Sequence, residues 1–336
     1  MRIVSKTING MDKALNETLL GRLVKSNLTS VSAFLIILVI ILSLATPNFA
    51  TPFNLQVILG IFSITAVVGL SQMVIISTGG MNLAVGSIGG LSAIIAGGAM
   101  ASYNIGTFPS IVAGLLTGTV CGLVSGILIV HFGSSGAAAF LVTLAMSSAY
   151  RGINFGLTKA QPFYKLAESF KAIGTKSLLG LPLLFYMTML IALLLWMLFT
   201  YLGVGRQLLA FGSNPRAAQL YGVSAAKTLT FAHMLSGLLA GFAGLMLMAR
   251  LGSAQNDIGS DWMMFSFAAP IIGGARQAGG RVSVIGAALG ALVLATIQNG
   301  LVHLNIDVYW MKFIEGCIIL LAVTVDLIRT ARAQSV

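Results

Sequence analysis

The chain has 336 residues, of which 57% are hydrophobic and only 8% charged, with a formal net charge of +11. Ordinary soluble domains carry about 25% charged residues, so this chain cannot cover itself with a polar skin, and a water-soluble globule is excluded. The positive balance does not indicate nucleic acid: the bases sit mostly at the ends of apolar runs, with no basic stripe interleaved by aromatics, which fits membrane orientation and anionic headgroups.

Residues 1–29 are polar and carry Arg2, Lys6, Lys13, Arg22 and Lys25. An apolar run follows at 32–46. The small residues of Ser43-Leu44-Ala45 resemble a cleavage site, but the polar lead is long for a signal peptide and more spans follow, so an uncleaved first span is the preferred reading. Ten candidate spans succeed one another at about 32–47, 54–77, 84–103, 109–130, 137–157, 181–203, 228–249, 262–275, 282–302 and 309–328. A helix needs about 20 apolar residues to cross a hydrocarbon core of about 30 Å. The eighth run is short and ends in the glycine-rich stretch IIGGARQAGGR, so it reads as a full span, a re-entrant segment or a broken helix. Thirty-nine glycines suit close helix packing in lipid. The expected architecture is all-α and polytopic: a polar segment 1–31, one transmembrane domain over 32–328, and a tail 329–336.

An even span count places both termini on one side, and the Lys/Arg distribution makes that side the cytoplasm. The inner face receives the five N-terminal bases, Arg206, Arg216, Lys227, Arg276, Arg281, Arg329 and Arg332. The outer face receives Arg151, Lys159, Lys165, Lys171, Lys176 and Arg250. Segment 158–180, with four lysines and Glu168, runs against the rule unless it folds as a surface helix, which would also suit an acidic partner. The other long polar connection is 204–227, where Gly212, Asn214 and Pro215 mark a turn and Pro215 suits the first position of a short helix. Such a helix is a docking element or a plain loop helix.

Chemistry-bearing residues are few. Lys312 and Glu315 are three apart and can face each other on one helix, as a neutralised pair or as an ion site. Asp326 belongs at the inner surface. His131, His233 and His303 are scattered near span ends and read as structural or interfacial. Cys121 and Cys317 read as small buried apolar side chains, without metal or nucleophile spacing. No phosphate loop ending in Gly-Lys-Ser/Thr occurs, no catalytic or metal constellation is visible, and no cofactor is implied. Coupled carriers place carboxylates at mid-membrane; their scarcity here points to energy supplied from outside the chain. The remaining polar features are the stretch Ser77–Gly86, the pair Asn54 and Gln56, the group Thr143, Ser147 and Ser148, and the pair Gln298 and Asn299. Each reads as part of a passage for a neutral polar solute or as interhelical glue.

Three stretches carry a family resemblance: TGGMNLAVGSIGG at 78–90, AFLVTLAMSSAYRGI at 139–153, and GRQLLAFGSNPRAAQLYGV at 205–223, the last followed in order by SGLLAGFAGLM, IIGGARQAGGRVSVIGAALGAL and QNGL. Together, over residues 32–328, the chain resembles the membrane permease subunit of bacterial ribose-type ABC sugar importers. The resemblance implies a permease homodimer in the inner membrane, with separate ATPase subunits bound in the cytoplasm and a periplasmic solute-binding protein outside. It implies that Asn214, Pro215, Arg216, Ala217, Ala218 and Gly222 form a coupling helix seated on the ATPase. It implies signature or pathway positions at Gly79, Gly80, Asn82, Gly86, Phe140, Thr143 and Asn299. It also makes segment 158–180 the face toward the binding protein. Asn82 and Ala84 depart from the Asp and Ser of the family pattern, and Asp261-Trp262-Met263-Met264 departs from its Glu-Leu stretch, which bears on the solute more than on the fold. A branched-chain amino-acid permease and a stand-alone ion-coupled carrier working through Lys312 and Glu315 are the alternatives.

Overall fold

Backbone groups inside a bilayer find no water, so a crossing segment must satisfy its hydrogen bonds internally, and helices result. The computed structural model describes residues 27–307 except 134 and 135, then 309–314, 316–317, 320 and 324. In chain order these form α1 (Asn27–Ala45), α2 (Pro52–Ser77), α3 (Val85–Ala101), α4 (Thr107–Phe132), α5 (Gly136–Thr158), α6 (Glu168–Thr175), strands β1 (Ser177–Leu178) and β2 (Leu181–Pro182), α7 (Leu183–Tyr201), α8 (Gly203–Ser213), α9 (Pro215–Leu220), α10 (Ala225–Leu251), α11 (Trp262–Ile272) and α12 (Val284–His303). Residues 309–314 are helical too. The polar lead before 27, the tail 329–336, Asp326 and Glu315 lie outside the described residues.

Among the described residues, six helices are long and apolar enough to cross a membrane: α1, α2, α4, α7, α10 and α12. The expected third and eighth spans are shorter helices, α3 and α11. The fifth, α5, has the length but is interrupted by Ser147, Ser148, Arg151 and Asn154. The tenth falls largely outside the described residues.

Helix α2 is the hub. It is apolar all round, as a helix enclosed by other helices must be, and Val67, Leu70, Met73, Val74 and Ile75 are fully buried. Around it pack α10, α11, α12 and one face of α7, while α1 and the rest of α7 turn their apolar surface outward. The tightest helix pair is α4 with α10. Glycines recur every fourth residue on α4, at 114, 118, 122 and 126, so they line one face. Opposite them lie Thr230, His233, Gly237 and Gly241. A Cβ at Gly118 would come 2.5 Å from the carbonyl oxygen of Gly237, and one at Gly122 would overlap that of His233. The two backbones are in contact along this seam, and any side chain there would part them.

The eighth run forms a short helix rather than one of membrane length. Helix α11 is 11 residues long, about 16 Å at 1.5 Å per residue, or half of a bilayer core. Before it, segment 252–261 runs along α3 as a chain of turns: Ala254 lies against Gly97, Ile258 against Gly90 and Gly259 against Gly86. Irregular backbone at that depth needs partners. Ala254 exchanges backbone hydrogen bonds with Phe163 at 2.9 and 3.0 Å. From α5, Asn154 Nδ2 donates to the Asn256 carbonyl at 3.4 Å, and Asn256 Nδ2 donates to Asn154 Oδ1 at 3.3 Å and to Thr158 Oγ1.

Segment 158–180 contains the expected short helix, α6, over eight of its residues. In α6, Phe170 is 1% exposed and anchors the helix, and Lys171 pairs with Glu168 at 2.9 Å. A short hairpin, β1–β2, follows and is held to α2 by Gln56 Nε2 donating to the Gly180 carbonyl at 3.1 Å. Of the two cysteines, Cys121 is buried as expected, but Cys317 is exposed. An apolar run that crosses lipid has an outer face as well as a packed one, and composition does not separate the two.

Candidate functional site

Three of the motif stretches meet in space at the end of the molecule that carries 203–224. Helix α2 ends at Ser77, where Thr78 Oγ1 donates to the Ile75 carbonyl at 2.8 Å and Gly79 takes a φ of 77°. The carbonyl of Ser77 is one of the orphan acceptors of a helix C-terminus, and Gly280 N–H donates to it at 3.1 Å. Gly280 belongs to a turn closed by Arg276 N–H donating to the Arg281 carbonyl at 2.9 Å. Into this corner comes Gly212, the penultimate residue of α8: a Cβ there would strike the Ser77 carbonyl oxygen and stand 2.7 Å from Gly280 N. Gly279, at φ 92°, lies between the backbones of Gly212 and Gly79. The junction therefore joins the α2 terminus, the turn after α11 and the α8–α9 connection without an intervening side chain.

From Gly212 the chain passes to α9. Asn214 is its N-cap, with Oδ1 accepting from Ala217 N–H at 3.0 Å, and Pro215 takes the first helical position as expected. Ala218 packs with Phe211 and Leu229. Arg216, Gln219, Leu220 and Tyr221 face outward, the last two 89% and 90% exposed. Gly222 closes the turn at φ 86°. Sequence reading singled out the capping and turn residues but not this exposed Leu-Tyr tip.

Asn82 lies in the core. It is fully buried, its Oδ1 accepts from Ala84 N–H at 3.0 Å, and its Nδ2 donates to Ser236 Oγ at 3.2 Å. Ser71 Oγ donates to the Ser236 carbonyl at 2.9 Å. With its amide turned to satisfy both groups, Gln72 donates to the Asn82 carbonyl at 3.0 Å and accepts from Asn82 N–H at 3.1 Å. This cluster shapes the turn between α2 and α3; Ser71, Gln72 and Ser236 were not picked out from sequence, although a Gln amid an apolar run is a visible signal. Gly86 holds the contact with Gly259.

Asn299 is likewise internally satisfied. It exchanges two hydrogen bonds with Asn54, at 2.8 and 2.9 Å, and His303 Nε2 is 2.9 Å from Asn54 Oδ1. Thr143 Oγ1 donates to the Ala139 carbonyl of its own helix at 2.8 Å, and Phe140 is exposed on α5. Lys312 pairs with Asp261 at 2.9 Å, at the surface.

At mid-depth, a cavity of about 270 Å³ opens among α2, α10, α11 and α12, lined by Thr65, Arg250, Asp261, Trp262, Phe265 and Gln298 among others. A second, of about 200 Å³, lies toward the 158–182 end and is lined by Gln56, Gly60, Lys176 and again Arg250. Gln298 was a passage candidate from sequence. Arg250 was placed in an outer loop, but it occupies the last turn of α10 and turns into the protein.

A family model described as the permease component of the branched-chain amino acid transport system matches residues 54–323. The chain is 32% identical over 296 residues to the ribose import permease protein RbsC of Escherichia coli strain K12, covering 87% of this chain and 91% of that one. It is 30% identical to the D-allose transport system permease protein AlsC of the same strain, covering 87% and 88%. It is 29% identical to the galactose/methyl galactoside import permease protein MglC of Haemophilus influenzae strain ATCC 51907, covering 89% and 94%. No solved structure matches. A bundle of membrane-length helices whose motif glycines converge on one junction, matched by this model over most of its length, belongs to the family of membrane transport permease components.

Proposed function

We propose that the protein is the transmembrane permease subunit of an ATP-driven, binding-protein-dependent importer that moves a monosaccharide-like solute across the bacterial inner membrane. The observation that carries this reading is the match along nearly the whole chain to permeases named for ribose, allose and galactose import. Those names favour a sugar over a branched-chain amino acid, although the family model is described by the latter. The chain itself is no enzyme in this reading, and ATP is hydrolysed on separate subunits.

The finer parts of the reading are these. The chain crosses ten times, with α3, α5, α11 and the helix from residue 309 completing the set, and both termini are cytoplasmic. Helix α9, with Asn214, Pro215, Arg216, Ala217, Ala218 and Gly222, seats in the ATPase. The glycine junction supports this, because motion of α9 reaches the ends of α2 and α11 through backbone contacts alone. Segment 158–180, which includes α6 and bears Lys159, Lys165, Lys171 and Lys176, receives an acidic face of the periplasmic binding protein. Two permeases pair, and the solute is handed over at one end and released at the other. The family positions Gly79, Gly80, Asn82, Gly86 and Asn299 act in this scheme by shaping the helices that rock, and Phe140 and Thr143 contribute from α5.

An ion-coupled carrier working through Lys312 and Glu315 is disfavoured by the same relatives, which are named for ribose, allose and galactose import. Reconstitution in proteoliposomes decides. Uptake of labelled ribose, allose or galactose should require ATP, the ATPase subunit and the binding protein together. Uptake driven by a proton or sodium gradient, with the permease alone, would sink the reading.

A further inference from the structure

Most polar side chains inside this bundle are spent on one another. Ser63, Thr188 and Thr296 donate to backbone carbonyls, and Asn54 and Asn299 bond to each other. The mid-depth cavity is different. Among the described residues, the Arg250 guanidinium makes no hydrogen bond or ion pair, and neither the Thr65 hydroxyl nor the Gln298 amide makes a hydrogen bond; all three line the same space. Asp261, the acid of that cavity, is engaged by Lys312 at 2.9 Å instead of by Arg250. Gly60 is what lets the guanidinium settle where it does: a Cβ there would lie 3.2 Å from Arg250 Cζ. The guanidinium thus lies against α2 between the mid-depth cavity and the one nearer the 158–182 end, lining both.

An arginine in a largely desolvated position without a partner is costly. Its planar fork of donors matches two adjacent oxygen atoms better than any other side chain does. Thr65 and Gln298 add hydroxyl and amide groups, and Trp262 and Phe265 supply the apolar surface that small-molecule pockets combine with a few convergent polar groups. At about 270 Å³ the space suits only a small ligand.

We propose that Arg250, Thr65 and Gln298 form a solute-binding subsite in which the guanidinium grips two neighbouring oxygens of a small polyhydroxylated solute, with Trp262 beside it. This rests on the sugar-permease reading above and extends it to a named site. The oxygens are two adjacent ring hydroxyls of a neutral sugar or the carboxylate of an acidic one, and the chemistry of recognition is shared. Arg250 sets the preference between them, because its charge favours the acid.

The cavity carries its own reporter. The chain has three tryptophans, and replacing Trp196 and Trp310 by Phe leaves Trp262 alone. In the purified single-tryptophan permease, without ATPase or binding protein, titration with D-ribose, D-galactose or D-galacturonate should change Trp262 emission saturably for at least one sugar. Arg250→Gln should weaken that titration about 10-fold, since hydrogen bonds to a charged group are worth roughly that. Gly60→Leu, which leaves Arg250 in place but displaces its guanidinium, should weaken it similarly, and Arg250→Lys should retain part of the affinity. The binding measurement uses no ATP, so it fails or succeeds independently of the ATP-driven reading. Absence of any saturable change in permease that supports uptake, or equal titrations for the parent, Arg250→Gln and Gly60→Leu in monodisperse protein, would overturn the assignment. A change confined to galacturonate supports it and makes the cargo acidic; a change with the neutral sugars supports it and makes the cargo neutral.

Discussion

Gly212 has no room for a side chain because the carbonyl oxygen of Ser77 occupies the place where its Cβ would be. Ser77 ends a hub helix at the centre of the bundle, and Gly212 sits three positions before the first residue of a surface helix, yet their backbones touch. Gly280 completes the contact by donating its N–H to the same carbonyl at 3.1 Å.

Substituting Gly212 by Val should disconnect α9 from the bundle. Overpacking of this kind costs about 1–3 kcal/mol, less than the insertion energy of the spans, so the variant should reach the membrane. Uptake in reconstituted vesicles should fall by more than about 10-fold, while ATP hydrolysis by the bound subunits loses its response to the binding protein. Wild-type uptake in Gly212→Val would mean that the junction transmits nothing.

The seat of α9 is tested on its outer face. Asn214→Ala removes the N-cap bond to Ala217 and should cost about 1 kcal/mol locally. Arg216→Glu reverses an exposed charge and leaves the packing of Ala218 with Phe211 untouched. Both should lower co-purification of the ATPase subunit and uncouple its activity from uptake, with Arg216→Glu the stronger at low salt. If Arg216→Glu retains full coupling, the contact is carried by other residues, and exposed Leu220 and Tyr221 are the next to change.

Helix pairing along the α4–α10 seam gives a stability prediction with an internal control. Gly122→Leu should prevent close approach to His233 and Gly237 and yield aggregated protein on detergent extraction. Gly156→Ala, on α5 where no atom lies within 4 Å of the added Cβ, should be neutral or raise the Tm slightly. Size-exclusion profiles and thermal melts of the two variants would separate backbone contact from a general sensitivity to lost glycine.

The Asn54–Asn299–His303 cluster predicts a cost from unpaired polar groups. Asn54→Leu is close in volume but strands the Asn299 amide and the His303 ring. Leaving such groups unsatisfied costs about 1–3 kcal/mol. The Tm in detergent should drop by several degrees, and the double variant Asn54→Leu, Asn299→Leu should recover part of that loss. No recovery would show that the two amides act independently.

Much of this protein is legible in one dimension. Apolar runs, the Lys/Arg asymmetry, the surface helix in 158–180 and the Asn-Pro start of α9 depend on local chemistry, and local chemistry is what a chain displays. The alternation of spans and polar connections follows from the bilayer, which acts on every segment alike.

Other features belong to the packed bundle. That the eighth run is a short helix preceded by a limb of turns depends on α3 and α5 supplying partners to residues 252–261. Asn82 and Asn299 read in the sequence as passage residues or interhelical glue, and the fold buries both and hydrogen-bonds them within the bundle, whereas Arg250 looks like a loop cation but reaches into a cavity. The amino-acid order by itself determined which segments are apolar enough to enter a membrane, because transfer into lipid is a sum over each segment's own residues. Which polar groups are left to meet a solute was decided by the tertiary structure alone, because a hydrogen bond is satisfied or not by whatever residue distant pieces of chain bring within 3 Å.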